Sequence, residues 1–167
     1  MIVLTISSIV IGGAIGLAIY SGDERILRDA TGEIELMAKR ARTIAILKQT
    51  PYALEFREGA VRIMPLVQAG LSEAPKLQQA EENSEMSSEN QNREFILNSG
   101  LSVFFRHWNT EKWLTTVKND VHVWRFDPDG LCEPISLRLV LDDSSVENTY
   151  HPLTATAVEE ESFSEIR

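Results

Sequence analysis

The first stretch of the chain is apolar on every side. Residues 1–22 contain no charged side chain. As a helix they would span about 33 Å at ~1.5 Å per residue, close to the ~30 Å hydrocarbon core of a bilayer. No basic residue precedes this run, and the candidate cleavage site around Ala18-Ile19-Tyr20 has a bulky ring where a small residue is wanted. A cleaved secretory signal needs the opposite of both. The pattern therefore predicts a membrane helix over residues 1–22. Gly12, Gly13 and Gly16 place a smooth strip on it, where a second helix can approach closely.

From residue 23 the polarity becomes periodic. Ile26, Ala30, Ile34, Met37, Ala41, Ile44 and Lys48 recur every three or four residues, with Asp23, Glu24, Arg28, Glu35, Lys39 and Arg42 opposite. That is one face of a helix over 23–50, continuing the first and ended by Thr50-Pro51, because a residue before proline avoids helical backbone. Acid gathers in its first turns and base in its later ones, which suits the helix dipole. The period then shortens to two. Tyr52, Leu54 and Phe56 alternate with Ala53, Glu55 and Arg57, Glu58-Gly59 turns, and Val61 and Ile63 alternate back. This predicts a hairpin over 51–65.

Residues 66–100 lose periodicity and become rich in Glu, Gln, Asn and Ser, which predicts an acidic low-complexity insertion. Strand patterns resume over 101–158: LSVFFRHW, VHVWRF (121–126), PISLRLVL (134–141) and a last segment near 148–158. Asp127-Pro128-Asp129-Gly130 marks a turn between two of them. Residues 159–167 form an acidic tail. The expected fold class is α+β: a long N-terminal helix, apolar then amphipathic, packed on a small antiparallel β-sheet.

Composition narrows the function. The chain has 167 residues, a formal net charge of -9 and a pI near 4.8. Such a balance excludes nucleic acid as the main partner. The acid is concentrated in residues 66–100, with six acidic and two basic side chains, and in 142–167, with seven and one. Cys132 is alone, so it forms no intrachain disulfide. His107, His122 and His151 are isolated, and no zinc-protease, nucleophile-elbow, P-loop or dinucleotide motif occurs. Asp127, Asp129, Asp142 and Asp143 are the best carboxylate candidates, but the spaced ligands of a calcium loop are missing. Trp108, Trp113 and Trp124 read as packing residues. No catalytic, cofactor-binding or metal-ligating residue is expected, and the chain is not expected to be an enzyme.

The layout, together with several short stretches, resembles the type IV pilin-like family, and within it the H-type minor pseudopilins of bacterial type II secretion. MAKRARTIAILKQTPYALEF looks like that family's helix end and first strand. VWRFDPDG resembles its aromatic strand and Pro-Asp-Gly turn. HPLTA is similar to its C-terminal Pro-Leu-Thr-Gly, with Ala155 in place of glycine. Members begin with a basic leader, a glycine and a Phe-Thr-Leu-x-Glu start. MIVLTISSIVIGG looks like the apolar run directly after that glutamate, so the true start is expected upstream of Met1, and the prepilin processing and methylation site is missing.

The resemblance implies a pilin-like fold and a structural role in protein export. The implied site is a bacterial inner membrane, with one pass and the globular part in the periplasm. The implied partners are other pseudopilins, through the N-terminal helix and Gly12, Gly13 and Gly16, and the secretion system's inner-membrane platform. No cofactor is implied. The alternatives are a minor type IV pilin, or a single-pass anchored binding domain that does not polymerise.

Overall fold

The computed structural model describes residues 2–70, 94–116, 120–158 and 164–165, with side chains described from Gly22 onward and not for 164–165. Helix α1 runs Ile2–Lys48. From Gly22 onward it is amphipathic. Its buried stripe is Leu27, Ala30, Ile34, Met37, Ala38, Ala41 and Ala45, which keeps the three- and four-residue spacing of one helix face. Four of the seven are alanines, so the backbone of α1 approaches the strands beneath it closely.

Among the described residues ten strands follow α1. They are β1 Tyr52–Arg57, β2 Ala60–Pro65, β3 Glu94–Ile96, β4 Ser102–His107, β5 Leu114–Thr115, β6 His122–Phe126, β7 Ile135–Leu141, β8 Ser144–Tyr150, β9 Ala157–Val158 and β10 Ser164–Glu165. All pair antiparallel. One sheet has the order β3-β2-β1-β6; the other has six strands, β10-β8-β7-β4-β5, with β9 also on β8. The chain thus enters the first sheet, crosses to the second at β4, returns for β6 and crosses again for β7.

This corrects the expected fold class. A long helix on one small antiparallel sheet does not describe the molecule: the described strands form two antiparallel sheets, of four and six strands. The described amphipathic part of α1 contacts β1, β2 and β6 of one and β7 and β8 of the other. Two sheets form because inward-facing apolar positions on both need cover. Phe56 of the first meets Phe105 of the second edge-on at 5.7 Å between ring centres, and Trp124 of the first lies 4.9 Å from Tyr150 of the second. These rings sit in the shared core with Leu27, Ile34, Leu54, Ile135 and Leu137. Fully burying each such aliphatic side chain contributes about 1.5–3 kcal/mol.

The expected membrane anchor is corrected as well. Among the described residues no helix is long and apolar enough to cross a membrane. The single-pass placement in a bacterial inner membrane therefore has no described helix to carry it. The side chains of residues 1–21, on which that expectation rested, lie outside the described residues.

The described ends of the two acidic segments carry regular structure. Residues 66–70 are ordered by a 3-10 turn at Leu66–Gln68, which folds back so that the Leu66 N–H donates to the Pro51 carbonyl at 3.0 Å. Glu94–Ile96 is a strand paired with β2. The tail contributes β10, paired with β8 at Ser144 and Ser145. Residues 71–93 lie outside the described residues.

Candidate functional site

The candidate site is the surface where α1 meets the two sheets, and the helix that leads away from it. Its lower edge is built by the Asp127–Gly130 turn. The Gly130 N–H donates to the Asp127 carbonyl at 3.0 Å, and Asp129 Oδ1 accepts from the Leu131 N–H. Gly130 has φ +86°, a left-handed conformation that favours glycine. A Cβ there would meet Ile46 Cδ1 at 3.1 Å and Arg42 Nη2 at 3.2 Å. The close approach lets Arg42 Nε donate to the Gly130 carbonyl at 2.8 Å, which ties α1 to the turn.

A second loop lies beside the first. The Cys132 N–H donates to the Pro152 carbonyl at 2.8 Å, and the buried thiol points at the carbonyls of His151 and Pro152. Burial pushes that thiol up from 9.0 to about 11, against a smaller downward pull from the Ala155 backbone hydrogen bond and the Arg42 charge. Ala155 closes this loop at φ +55°, with its N–H on the His151 carbonyl at 2.9 Å. Further along, the Ala157 N–H reaches Glu35 Oε2 of α1 at 3.5 Å. Burial, together with a smaller effect of the nearby Glu35 charge, raises the Tyr150 phenol above its ordinary range.

The structure scatters the chemically capable side chains. His107 Nδ1 lies 2.6 Å from Glu133 Oε1, while His122 Nε2 donates to the Thr115 carbonyl at 2.9 Å. Both rings lean on Phe105, at 4.8 and 5.7 Å. His151 Nδ1 accepts from the Leu153 N–H instead. Asp127 pairs with Arg125, and Asp142 and Asp143 turn the β7–β8 hairpin. Among the described residues no group of three or more His, Cys, Asp or Glu is placed to hold a metal ion. Gly12, Gly13 and Gly16 fall in the part of α1 before the described side chains.

Two arrangements escaped the sequence reading. Glu55 is fully buried; its carboxylate accepts from Arg57 Nε at 2.6 Å and from the Gly70 N–H at 2.7 Å. An acid alternating with apolar neighbours in a strand gives no sign of such cover, because part of that cover, the Gly70 N–H, comes from 15 positions away. Trp113 lies between two guanidinium groups, Arg106 and Arg138, each 4.4 Å from its ring centre, and both arginines pair with Glu147. This ladder on the outer face of the six-stranded sheet is a packing device. The two guanidinium planes satisfy one carboxylate and cover one indole.

Comparison with protein-family models, with characterised proteins and with solved structures returned no match. None of these comparisons supports a pilin-like family or a secretion system for this chain.

Proposed function

We propose that the chain is a structural subunit of a pilin-like assembly, of the minor pseudopilin kind that serves type II secretion, and that it acts mechanically rather than by catalysis. The observation that carries this reading is the continuity of α1. One helix runs Ile2–Lys48, and the described stripe that docks it on the sheets spans Leu27 to Ala45. The head is thereby fixed to a rod whose preceding residues, 2–22, hold no charge. At ~1.5 Å per residue that rod is about 70 Å long. A helix of this kind offers its apolar residues to other helices of the same kind. The partners in this reading are other pseudopilins, through the N-terminal helix, and the assembly platform of the secretion system.

The dock supports the same reading, because load carried by α1 must reach the head. The alanine-rich stripe and the Arg42–Gly130 hydrogen bond hold the helix to both sheets along its second half. The test is a full chain carrying Gly12→Leu and Gly16→Leu, expressed in its native bacterium in place of the wild type. Circular dichroism and thermal unfolding should show an unchanged head, while exported proteins stay in the cell. Normal export by that variant would overturn the reading.

A further inference from the structure

The two faces of the six-stranded sheet differ in kind. Val103 and Phe105 of β4 are buried in the core, while Ser102, Phe104 and Arg106 alternate with them and face outward. Trp108 follows at the exit of β4 and is 71% exposed. Its side chain makes no hydrogen bond, ion pair or ring contact among the described residues. The ladder beside it is packed but not neutral. Arg106 and Arg138 share one carboxylate, Glu147, so one positive charge is left over. Both guanidinium groups are held in place, each 4.4 Å from the Trp113 ring centre. Arg106 donates only from Nη2, to Ser136 and Glu147, and Arg138 only from Nε and Nη2, to Glu147. Arg106 Nε and the Nη1 of both arginines therefore have no acceptor among the described residues. The adjoining loop adds exposed Glu111 and Lys112, whose charges cancel.

We propose that this outer face docks a protein segment that brings one carboxylate near an aromatic or aliphatic side chain. The carboxylate takes the unused Arg106 and Arg138 donors, and the apolar side chain lies on Trp108, about 7 Å along β4 from Arg106 at ~3.4 Å per residue. The proposal does not depend on the assembly reading above. Composition and charge select the partner. Tryptophan and arginine with little acid are what the centre of a protein interface carries. A guanidinium already fixed by stacking gives up little freedom when it binds a carboxylate, and such charge-assisted bonds are strong. The chain's net charge of -9 repels a run of acid at long range, so a single carboxylate matches the single surplus charge. The partner is read by side chains rather than added as a strand, because β4 and β7 already have neighbours on both edges.

Fluorescence anisotropy tests this, with the full chain titrated into a peptide, Gly-Ser-Glu-Ser-Phe-Ser-Gly, that carries a dye at its N-terminus and an amide at its C-terminus. The same peptide with Gln for Glu is the control and needs no change to the protein. The Glu peptide should bind at least about tenfold more tightly than the Gln peptide. Trp108→Ala removes a side chain that packs on no described ring or charge, and should weaken binding at least about fivefold. Arg106→Gln with Arg138→Gln should abolish the preference for Glu, with thermal unfolding showing that the head still folds. If that double variant unfolds, the Gln peptide and Trp108→Ala decide alone. Equal binding of the two peptides, no binding of the Glu peptide at about 1 mM, or binding that Trp108→Ala leaves unchanged would each overturn the inference. An alginate oligosaccharide that binds more tightly than the Glu peptide would overturn the choice of a protein partner in favour of an acidic glycan.

Discussion

Arg42 of α1 and Gly130 of the β6–β7 turn lie 88 positions apart and share a 2.8 Å hydrogen bond from the arginine Nε to the glycine carbonyl. The helix and the turn are each ordinary; the bond between them adds a polar tie to the apolar dock of α1. Gly130→Ala should destabilise the head by about 2–3 kcal/mol, from a left-handed backbone and a Cβ that crowds Ile46 and Arg42. That corresponds to a fall in Tm on the order of 5–10 °C. Arg42→Ala should cost about 1–2 kcal/mol. A double-mutant cycle between the two should show a coupling above about 0.5 kcal/mol, since both act on one contact. Additive effects would detach the arginine from the turn.

Two of the three non-glycine residues that stand in left-handed backbone among the described residues should respond differently to glycine. Gln49 has φ +51° where α1 ends, is exposed, and donates from Nε2 to the Ile46 carbonyl at 2.7 Å. Gln49→Gly should stabilise the protein by about 0.5–1 kcal/mol, since glycine is the preferred residue just past a helix end. Ala155 has φ +55° and is fully buried. Ala155→Gly relieves similar strain but removes a buried methyl worth about 0.8 kcal/mol, so its net effect should lie near zero. Urea unfolding of both variants checks the contrast.

Much of α1 was legible in the sequence, because a helix writes its buried face locally. Ala30, Ile34, Met37 and Ala41 sit on the buried stripe as the periodicity required. The centre of the stripe is shifted, however. Leu27, Ala38 and Ala45 are buried, whereas Ile26 and Ile44 lie at its margin and Lys48 is exposed. Alanine carries too weak a polarity signal to mark that shift. Likewise Arg42, expected on the solvent face, bends to the turn at Gly130.

The second sheet was not legible. Its β5, β9 and β10 have two residues each, too short for an alternation to register. The assignment of β6 to one sheet and β7 to the other depends on contacts far apart in sequence. The candidate site was legible only as motifs. Asp-Pro-Asp-Gly announced a turn, but nothing local announced that α1 would pack against it.

Glu55 should matter more than its strand suggests. Its carboxylate is fully buried and faces Arg57 and the Gly70 N–H. Glu55→Ala should cost about 3 kcal/mol, and Glu55→Gln, which keeps the shape and one acceptor, about half of that. Limited proteolysis provides a second readout. Cleavage within residues 66–70 should become faster in Glu55→Ala, because the Gly70 N–H that the carboxylate holds is released.

Cys132 predicts an alkaline limit. Its thiol is pushed up to about 11 in the folded protein from 9.0. The folded state therefore keeps a proton that the unfolded state loses between those values. Stability from this group is complete below pH 9 and falls as pH rises from 9 to about 11. Cys132→Ala should have a flatter profile across that window and match the wild type's slope below it. Denaturant unfolding at a series of pH values decides this, and parallel profiles throughout would remove the thiol as the cause.

The most direct test of the structural-subunit account is deletion of the gene in the cell that carries it, with exported proteins assayed in the medium. The account predicts that export is lost, is restored by the full chain, and is not restored by a chain lacking residues 2–21 whose head still folds. Export that continues unchanged in the deletion strain would contradict it.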